Sequence, residues 1–323
     1  MNFLSRLLIF SACALLGTHA TAQPFPSKPI RMIAPSSPGG PVDVIARVLA
    51  PGMTETLGQQ VIVENRAGAA GLIGAELVAK APADGYTLLL GFSGPLAIVP
   101  HLNEATPYDP VRDFAPVTLA ASAPYVLLVH PAVPVKSVKE LVALAKSRPG
   151  KLNYASGGNG TGIHMAGELF NLAAGVRILH VPYKGAGPGM AALMSGETDM
   201  MFNGLSPAIP QMKSGRLRGL AVGGDKRSPL MPELPTVAES GLKFNTTGWY
   251  GILAPRGTPQ PVIAKLQSEL ARALSIALVK EQLTKMGVEG IGSTPEQFGS
   301  LLREEMEKWG KVIKTAGLKG MPL

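Results

Sequence analysis

The chain has 323 residues, a net charge of +8, and 46% hydrophobic but only 16% charged residues, which is typical of a globular protein. Lysine and arginine are scattered and aromatic residues make up 5%, so the composition argues against a nucleic-acid-binding surface. The single cysteine, Cys13, argues against a disulfide framework. We expect a soluble protein whose mildly positive field attracts organic anions.

The N-terminus has the pattern of a secretory signal peptide. Arg6 precedes an apolar run from Leu7 to Leu16, and Ala20-Thr21-Ala22 supplies the small residues of a signal-peptidase site. We predict a signal peptide over residues 1–22, export to the periplasm and a mature chain without cysteine. Cys13 also allows a lipoprotein interpretation, but few residues precede it for a charged region and an apolar core. No later apolar stretch approaches the roughly 18 residues of a membrane span.

A cassette of strand, glycine-rich loop, helix, strand, loop, helix and strand occurs twice. The first copy runs from Ile30 to Gly94 and the second from Leu152 to Ser206. A glycine-rich loop between a strand and a helix lets backbone N–H groups and the helix dipole converge on an anion. Two such copies predict two lobes that hold one small acid between them.

The remaining elements follow in chain order. LAASAPYVLLVHPAVPV reads as a strand, and the next helix begins at Ser137 with Glu140 three residues later, a capping pattern. After the second copy come a short helix, a strand and the pair Gly223-Gly224. Two amphipathic helices, Pro261 to Met286 and Pro295 to Ala316, are predicted to pack on the first lobe.

This order predicts an α/β fold in which the chain crosses between the lobes twice, near 120–124 and near 222–226. The first lobe then consists of residues 23–122 and 224–323, and the second lobe of residues 123–223. Two crossovers form a hinge that can close on a ligand.

The first glycine-rich loop runs from Pro35 to Asp43. Its prolines stiffen it, and Pro41 suits the first helical turn, so free N–H groups at Gly39 and Gly40 can face outward toward a ligand. The alternative is a simple helix entry in which Ser37 or Asp43 accepts those hydrogen bonds, and Asp43 can also order the loop without touching a ligand.

The second glycine-rich loop, Ala155 to Gly162, supplies two hydroxyls, an amide and four glycines before a helix. Hydrogen bonds to a charged partner contribute about 1.5–3 kcal/mol each, so four or five such donors can hold a carboxylate without an arginine.

Motifs for other chemistries are incomplete. The dinucleotide fingerprint fails at Ile163, where a third glycine is required, and no Walker phosphate loop occurs. Ser93 resembles a nucleophile elbow, but Pro95 replaces its last glycine, so we interpret Ser93 as a ligand donor at a strand end. His164 and Glu168 lie four apart on a helix without a third metal ligand, and a surface polar pair is favoured over a metal site. We expect no cofactor, no metal and no catalytic group.

Several long motifs in order resemble the tripartite tricarboxylate transporter receptor family, also called TctC or Bug proteins. They include PSKPIRMIAPSSPGGPVDVIARVLA, GKLNYASGGNGTGIHMAGELF, ILHVPYKGAGP and ETDMMFNGLSPAIPQMKSGRLRGLAV, and they span the mature chain. The resemblance implies a two-lobed periplasmic binding protein fold of type II-like topology. It also implies a binder, not an enzyme, that captures organic acids, acidic amino acids or aromatic carboxylates for a membrane permease; a monomer is expected.

The resemblance also implies a set of ligand-binding residues. The first loop contributes Ser37, Gly39 and Gly40, and the second loop binds one ligand carboxylate. The full second set is Ser156, Gly157, Asn159 and Thr161 from the second loop, with Ser93, Tyr183, Asn203 and Leu205 lining the rest of the pocket.

Two positions depart from the family pattern. Family members often have phenylalanine where this chain has Ser36 and an acidic residue where it has Asn203. Because an acid at 203 would pair with a ligand ammonium, we predict a ligand without an amine. Two other functions stay open: a periplasmic enzyme that acts on a carboxylate through His164 and Glu168, and a sensor that presents the same ligand to a histidine kinase.

Overall fold

The computed structural model describes residues 24–103 and 105–322; the predicted signal peptide, with Cys13, lies outside them. Within these residues the strands are β1 Ile30–Ala34, β2 Val61–Asn65, β3 Thr87–Phe92, β4 Phe114–Val129, β5 Asn153–Ser156, β6 Leu179–Pro182, β7 Met200–Gly204, β8 Arg218–Val222, β9 Thr247–Pro255 and β10 Glu289–Gly290. The helices there are α1 Pro41–Leu57, α2 Leu72–Ala79, α3 Val99–Leu102, α4 Val138–Ser147, α5 Gly162–Ala174, α6 Ala186–Ser195, α7 Leu205–Lys213, α8 Gln260–Leu274, α9 Ala277–Lys285 and α10 Pro295–Ala316.

Both predicted copies of the cassette form, and they have the same strand order. In the first, β1 lies between β2 and β3 and pairs with both in parallel. In the second, β5 lies between β6 and β7, again in parallel. The glycine-rich loops after β1 and β5 therefore leave the carboxyl ends of central parallel strands, the edge at which open α/β sheets bind ligands.

The strand β4 belongs to both lobes. From Phe114 to Pro124 it pairs antiparallel with β9, and from Tyr125 to Val129 it pairs with β7 and β8. Since β9 also pairs antiparallel with β3, the chain crosses from the first lobe to the second within β4 and returns before β9. Two crossovers between the lobes are present, as predicted, and their predicted positions near 120–124 and 222–226 stay predictions.

Each face of the first lobe's sheet is covered by helices. Alternate residues of β1 point to opposite faces: Met32 packs with α1 and α8, whereas Ile33 packs with α2 and α10. This double burial accounts for the nearly continuous apolar sequence of β1 and β3. The second lobe is built in the same way, with one cluster around Tyr154 and another around Met201.

Capping side chains fix two helix starts that the sequence marks. Ser137 Oγ accepts a hydrogen bond from the Glu140 N–H, as predicted. At α10 the Thr294 hydroxyl accepts from the Gln297 N–H, and the Gln297 side chain accepts from the Thr294 N–H, which completes a capping box. The predicted bounds of α10, Pro295 to Ala316, are confirmed.

The single helix predicted from Pro261 to Met286 is wrong, because the structure divides it into α8 and α9. Ile276 has an extended backbone, and the Ser275 hydroxyl donates to the Ala271 carbonyl one turn earlier. Serine and β-branched isoleucine have weak helix propensity, and serine bonded back to the preceding turn bends a helix.

The segment after β8 differs from the predicted lobe boundary at residue 224. Val237 and Phe244 are buried in the cluster around Tyr154, and Val222 forms a bridge with Thr236. These contacts belong to the second lobe. We therefore propose that the chain returns to the first lobe at β9, and the boundary near 122 stays a prediction.

Candidate functional site

The two lobes meet where helix α5 begins. Gly162, its first residue, faces side chains from the first lobe and from the crossover: a Cβ placed on it would lie 3.2 Å from Ser93 Oγ and would overlap the Tyr125 hydroxyl. Ser93 follows the carboxyl end of β3 and is 5% exposed, whereas Tyr125 is the first β4 residue that pairs with the second lobe. A glycine is required here because the lobes approach so closely.

Four hydrogen-bond donors converge near Gly162. Thr161 caps α5 by accepting from the His164 N–H, and Met165 makes the first intrahelical bond, so the N–H groups of Gly162 and Ile163 have no acceptor within the described residues. The hydroxyls of Ser93 and Tyr125 likewise have no hydrogen-bonding partner in the described part of the chain. A set of free donors at a helix N-terminus suits an anion.

In the first glycine-rich loop, the N–H groups of both glycines already have acceptors within the segment from Pro35 to Asp43. The Gly39 N–H donates to Asp43 Oδ2 at 2.8 Å, and the Gly40 N–H donates to the Ser37 carbonyl at 3.1 Å. Of the two interpretations that the sequence left open for this loop, the structure therefore has the simple helix entry, in which Asp43 and Ser37 accept these hydrogen bonds. A ligand role for Ser37, Gly39 and Gly40 stays a prediction.

Asp43 orders this loop and is 3% exposed. It also accepts hydrogen bonds from Arg47 Nε and Asn65 Nδ2, both at 2.9 Å. Burial acts to raise the pKa of the Asp43 carboxyl, but the bonds from Arg47, the Gly39 N–H and Asn65 outweigh it and lower that pKa. The buried carboxylate stays ionised and holds β2, the loop and α1 together.

Polar side chains of the second glycine-rich loop also have protein partners. Ser156 is fully buried, with Oγ 2.6 Å from His180 Nε2. The Thr161 hydroxyl donates to the Gly158 carbonyl at 2.7 Å, and the amide of Asn159 donates to the Pro322 carbonyl at 2.9 Å. The structure thus turns Ser156 and Thr161 inward, while Asn159 joins the loop to the C-terminal tail.

The other predicted pocket residues lie in the second lobe. The Tyr183 hydroxyl donates to Glu197 at 2.7 Å. Asn203 is 4% exposed, with Oδ1 accepting from the Gly204 N–H at 2.8 Å and Nδ2 beside the Met201 sulfur at 3.8 Å. Leu205 is buried. None of these three side chains joins the donors at Gly162, and their ligand roles stay predictions.

Gly157, in the second glycine-rich loop, packs against the loop that follows β6. A Cβ on it would lie 3.2 Å from the Ala186 nitrogen, and the Gly185 N–H donates to the Gly157 carbonyl. The two loops that leave β5 and β6 therefore pack backbone to backbone. Ser93 lies at a strand end, as predicted, whereas the contact between Tyr125 and Gly162 was not predicted from the sequence. The signal available for it was a tyrosine next to the expected crossover.

A buried pair of histidines lies behind the second loop. The rings of His164 and His180 are stacked with centroids 4.0 Å apart. Burial lowers the pKa of His164, with a further contribution from His180, to about 3, and burial lowers the pKa of His180 to about 4. Glu168 instead accepts the Tyr154 hydroxyl at 2.5 Å, and burial raises its pKa. His164 and Glu168 are therefore not hydrogen-bonded to each other and do not form the predicted surface pair.

This histidine pair predicts a loss of stability in acid. The unfolded chain takes up protons below about pH 6.5, whereas the folded protein keeps both imidazoles neutral, so the stability present above that pH is lost as the pH falls toward the folded pKa values. Between pH 7 and pH 5 we expect each imidazole to lower the free energy of unfolding by about 2 kcal/mol, and the pair by about 4 kcal/mol. Urea unfolding at the two pH values measures it.

Two substitutions test the origin of this loss. His180→Gln removes one imidazole of the pair and should make the free energy of unfolding less dependent on pH. Ser268→Ala changes an exposed, non-titrating residue outside the pair and should keep the dependence of the unaltered protein. Equal pH dependence in His180→Gln and the unaltered protein would contradict the assignment.

Across residues 24–103 and 105–322, no group of three or more histidine, cysteine, aspartate or glutamate side chains is placed to hold a metal ion. No helix in that part of the chain combines the length and apolarity that crossing a bilayer demands.

Comparison with known proteins identifies the family. The model of the tripartite tricarboxylate transporter family receptor, TctC, matches residues 45–318. The chain belongs to this family. A relative from Pseudomonas sp. strain P51, the UPF0065 protein in the tcbD-tcbE intergenic region, is 41% identical over 313 residues, which cover 95% of this chain and 93% of that protein. The TctC family is a family of solute-binding receptors.

Solved structures of similar sequence have the same fold. An R. palustris protein solved with adipate has a TM-score of 0.82 and 36% identity, covering 91% of this chain and 98% of its own. MatC from Rhodopseudomonas palustris, solved with bound malate, has a TM-score of 0.79 and 34% identity, covering 90% of this chain and all of its own. This TctC protein has the two-lobed periplasmic binding protein fold predicted from its sequence.

Proposed function

We propose that this TctC protein is exported to the periplasm and captures a small carboxylate between its two lobes. The observation that carries the proposal is the convergence at Gly162. There two free N–H groups of α5 meet the free hydroxyls of Ser93 and Tyr125, which come from the first lobe and the crossover. Donors from both sides of a cleft bind a ligand only when the cleft is closed around it.

The chemistry of the donors favours a carboxylate. Each of the four groups donates and none is a cation, so the negative charge of the ligand is stabilised by dipoles and hydroxyls. The related structures hold adipate and malate, which are both carboxylates. The proposed ligand has no amine, because Asn203 supplies a neutral amide that is already bonded to the Gly204 N–H.

The captured acid is delivered to the membrane subunits of a tripartite tricarboxylate-type transporter. This step is proposed from the family, whose members are receptors for that class of transporter. A kinase-linked sensor would use the same binding site, so the two partners are distinguished by measuring acid uptake in cells that lack the receptor.

A ligand screen with a matched pair of variants tests the binding site. The protein purified from the periplasm is titrated in a calorimeter with adipate, malate, citrate, benzoate, aspartate and glutamate. We expect binding to one class of acid and none to the two amino acids. Ser93→Ala should weaken binding about tenfold or more, since a hydrogen bond to a charged group is lost. Ser268→Ala, an exposed serine of α8, should bind as the unaltered protein does.

The two tryptophans provide a second readout of closure. Trp249 and Trp309 both donate indole N–H bonds to the buried carboxylate of Glu305, at 3.0 and 2.8 Å. Both belong to the cluster that also contains Met165 from α5 of the second lobe. A change in tryptophan fluorescence when acid is added would therefore report the closing of the lobes. The absence of binding to every acid in the screen would overturn the proposed function.

A further inference from the structure

We infer that Tyr125 is a specificity-determining residue whose hydroxyl donates the fourth hydrogen bond to the ligand carboxylate and thereby selects acids over amides. This inference rests on the proposed function and concerns the same site. Neither the motifs of the two glycine-rich loops nor the pocket residues expected from the family include Tyr125.

The backbone of Tyr125 lies where both crossovers meet. The preceding residue, Pro124, still pairs with Thr247 of β9, whereas Tyr125 pairs with Gly204 of β7. The Tyr125 carbonyl accepts a hydrogen bond of 2.7 Å from the Gly223 N–H, just after β8. The residue is therefore fixed to the connection on which the lobes turn, and its side chain extends from that connection into the cleft.

The side chain ends between the two lobes. Its hydroxyl is in contact with Gly162 of α5 on one side, and a Cβ on Gly248 of β9 would lie 3.3 Å from it on the other. Within the described residues it has no hydrogen-bonding partner, although the side chain is only partly exposed. A hydroxyl placed there without a protein partner is available to a ligand held at the start of α5.

The hydroxyl keeps its proton at any physiological pH. Burial raises its pKa above the usual range for tyrosine, and the nearby Tyr250 and the carboxylate of Glu305 raise it further. A phenol held in this form donates a hydrogen bond to an anion.

The count of donors matches one carboxylate. An ionised carboxylate has two oxygens with about four lone-pair sites and no donor of its own. The N–H groups of Gly162 and Ile163 and the hydroxyls of Ser93 and Tyr125 make four donors. A carboxamide would turn its NH₂ group toward at least one of these donors, and neither that donor nor the NH₂ group would then have an acceptor. A site built from polar partners rejects such an analogue strongly.

The experiment compares acids with their amides. Adipate, malate and benzoate, each beside the matching carboxamide, are titrated into the unaltered protein and into Tyr125→Phe, which removes only the hydroxyl. Tyr125→Phe should weaken binding of the acid about 10- to 100-fold and leave the weaker binding of the amide within about twofold, so the acid-to-amide ratio falls. Tyr86→Phe removes a tyrosine hydroxyl that is bonded to the Ser27 N–H, outside the cleft, and should keep the ratio.

The outcomes separate this inference from the proposed function. If the unaltered protein binds none of these acids, the proposed function fails for them, and the inference fails with it. If the unaltered protein binds an acid and Tyr125→Phe binds it with the same affinity and the same acid-to-amide ratio, the role of Tyr125 is overturned while the proposed function stands. Equal losses for acid and amide would also overturn it, because they indicate a structural role.

Discussion

Gly162→Ala is expected to weaken binding of the ligand acid by about 10- to 100-fold, because it places a methyl group between the lobes. The added Cβ would overlap the Tyr125 hydroxyl and lie 3.2 Å from Ser93 Oγ. Either the tyrosine leaves the site or the lobes stay farther apart. In both cases the carboxylate loses donors that only the closed arrangement brings together. Calorimetric titration with the acid identified in the screen measures the change.

A double-mutant cycle locates the cause. If the methyl group acts through the Tyr125 hydroxyl, adding Gly162→Ala to Tyr125→Phe should cost less affinity than it does in the unaltered protein. Gly299→Ala is the matched control, since a Cβ there meets Pro116 and Arg303 at ordinary contact distances of 3.6 and 3.7 Å. Unchanged affinity in Gly162→Ala would remove the site from the start of α5.

Gly251→Ala is expected to lower the free energy of unfolding by about 2–4 kcal/mol. Gly251 lies in the middle of β9, paired with Gly91 of β3 and Leu119 of β4. The ring of Phe298 from α10 lies so close to Gly251 that an added Cβ would overlap the ring, with Cε2 only 2.6 Å away. Phe298 is fully buried among other large side chains, so the ring cannot move aside without shifting α10.

Urea denaturation of purified variants measures this loss. Gly187→Ala in α6 adds the same methyl group where no atom lies within 4 Å, and it should leave stability unchanged or slightly raised because alanine favours a helix. The combination of Gly251→Ala with Phe298→Leu should recover part of the loss, since the smaller side chain leaves room. Equal stability of Gly251→Ala and Gly187→Ala would show that the contact is not tight.

The sequence was sufficient to predict most of the architecture because its signals are local. Apolar runs between glycine-rich loops identified β1, β3 and β7, and the capping pattern at Ser137 identified the start of α4. The break between α8 and α9 was not predicted, because the apolar residues keep helical spacing across Ser275. The helix ends there because the Ser275 hydroxyl bonds to the backbone of the preceding turn.

The side-chain partners at the site could not be predicted, because they come from distant parts of the chain. Ser156 turns toward His180, and Asn159 meets Pro322 near the end of the protein. Spacing along the sequence carries no information about such pairs. The loop glycines and hydroxyls were therefore identified as a polar group, while the question of which donors stay free was settled only by the packing of Ser93 and Tyr125 against Gly162.

The return of the chain to the first lobe at β9 also determines the order in which the two lobes can fold. The edge of β3 stays unpaired until β9 reaches it, and the helices α8 and α10 that cover the first sheet follow later still. The second lobe, in contrast, has all its strands once β8 has been made. A chain that emerges from its N-terminus can therefore fold its second lobe while the first lobe is still incomplete. During that time the first lobe exposes the apolar edge of β3, and such an edge can aggregate or bind chaperones.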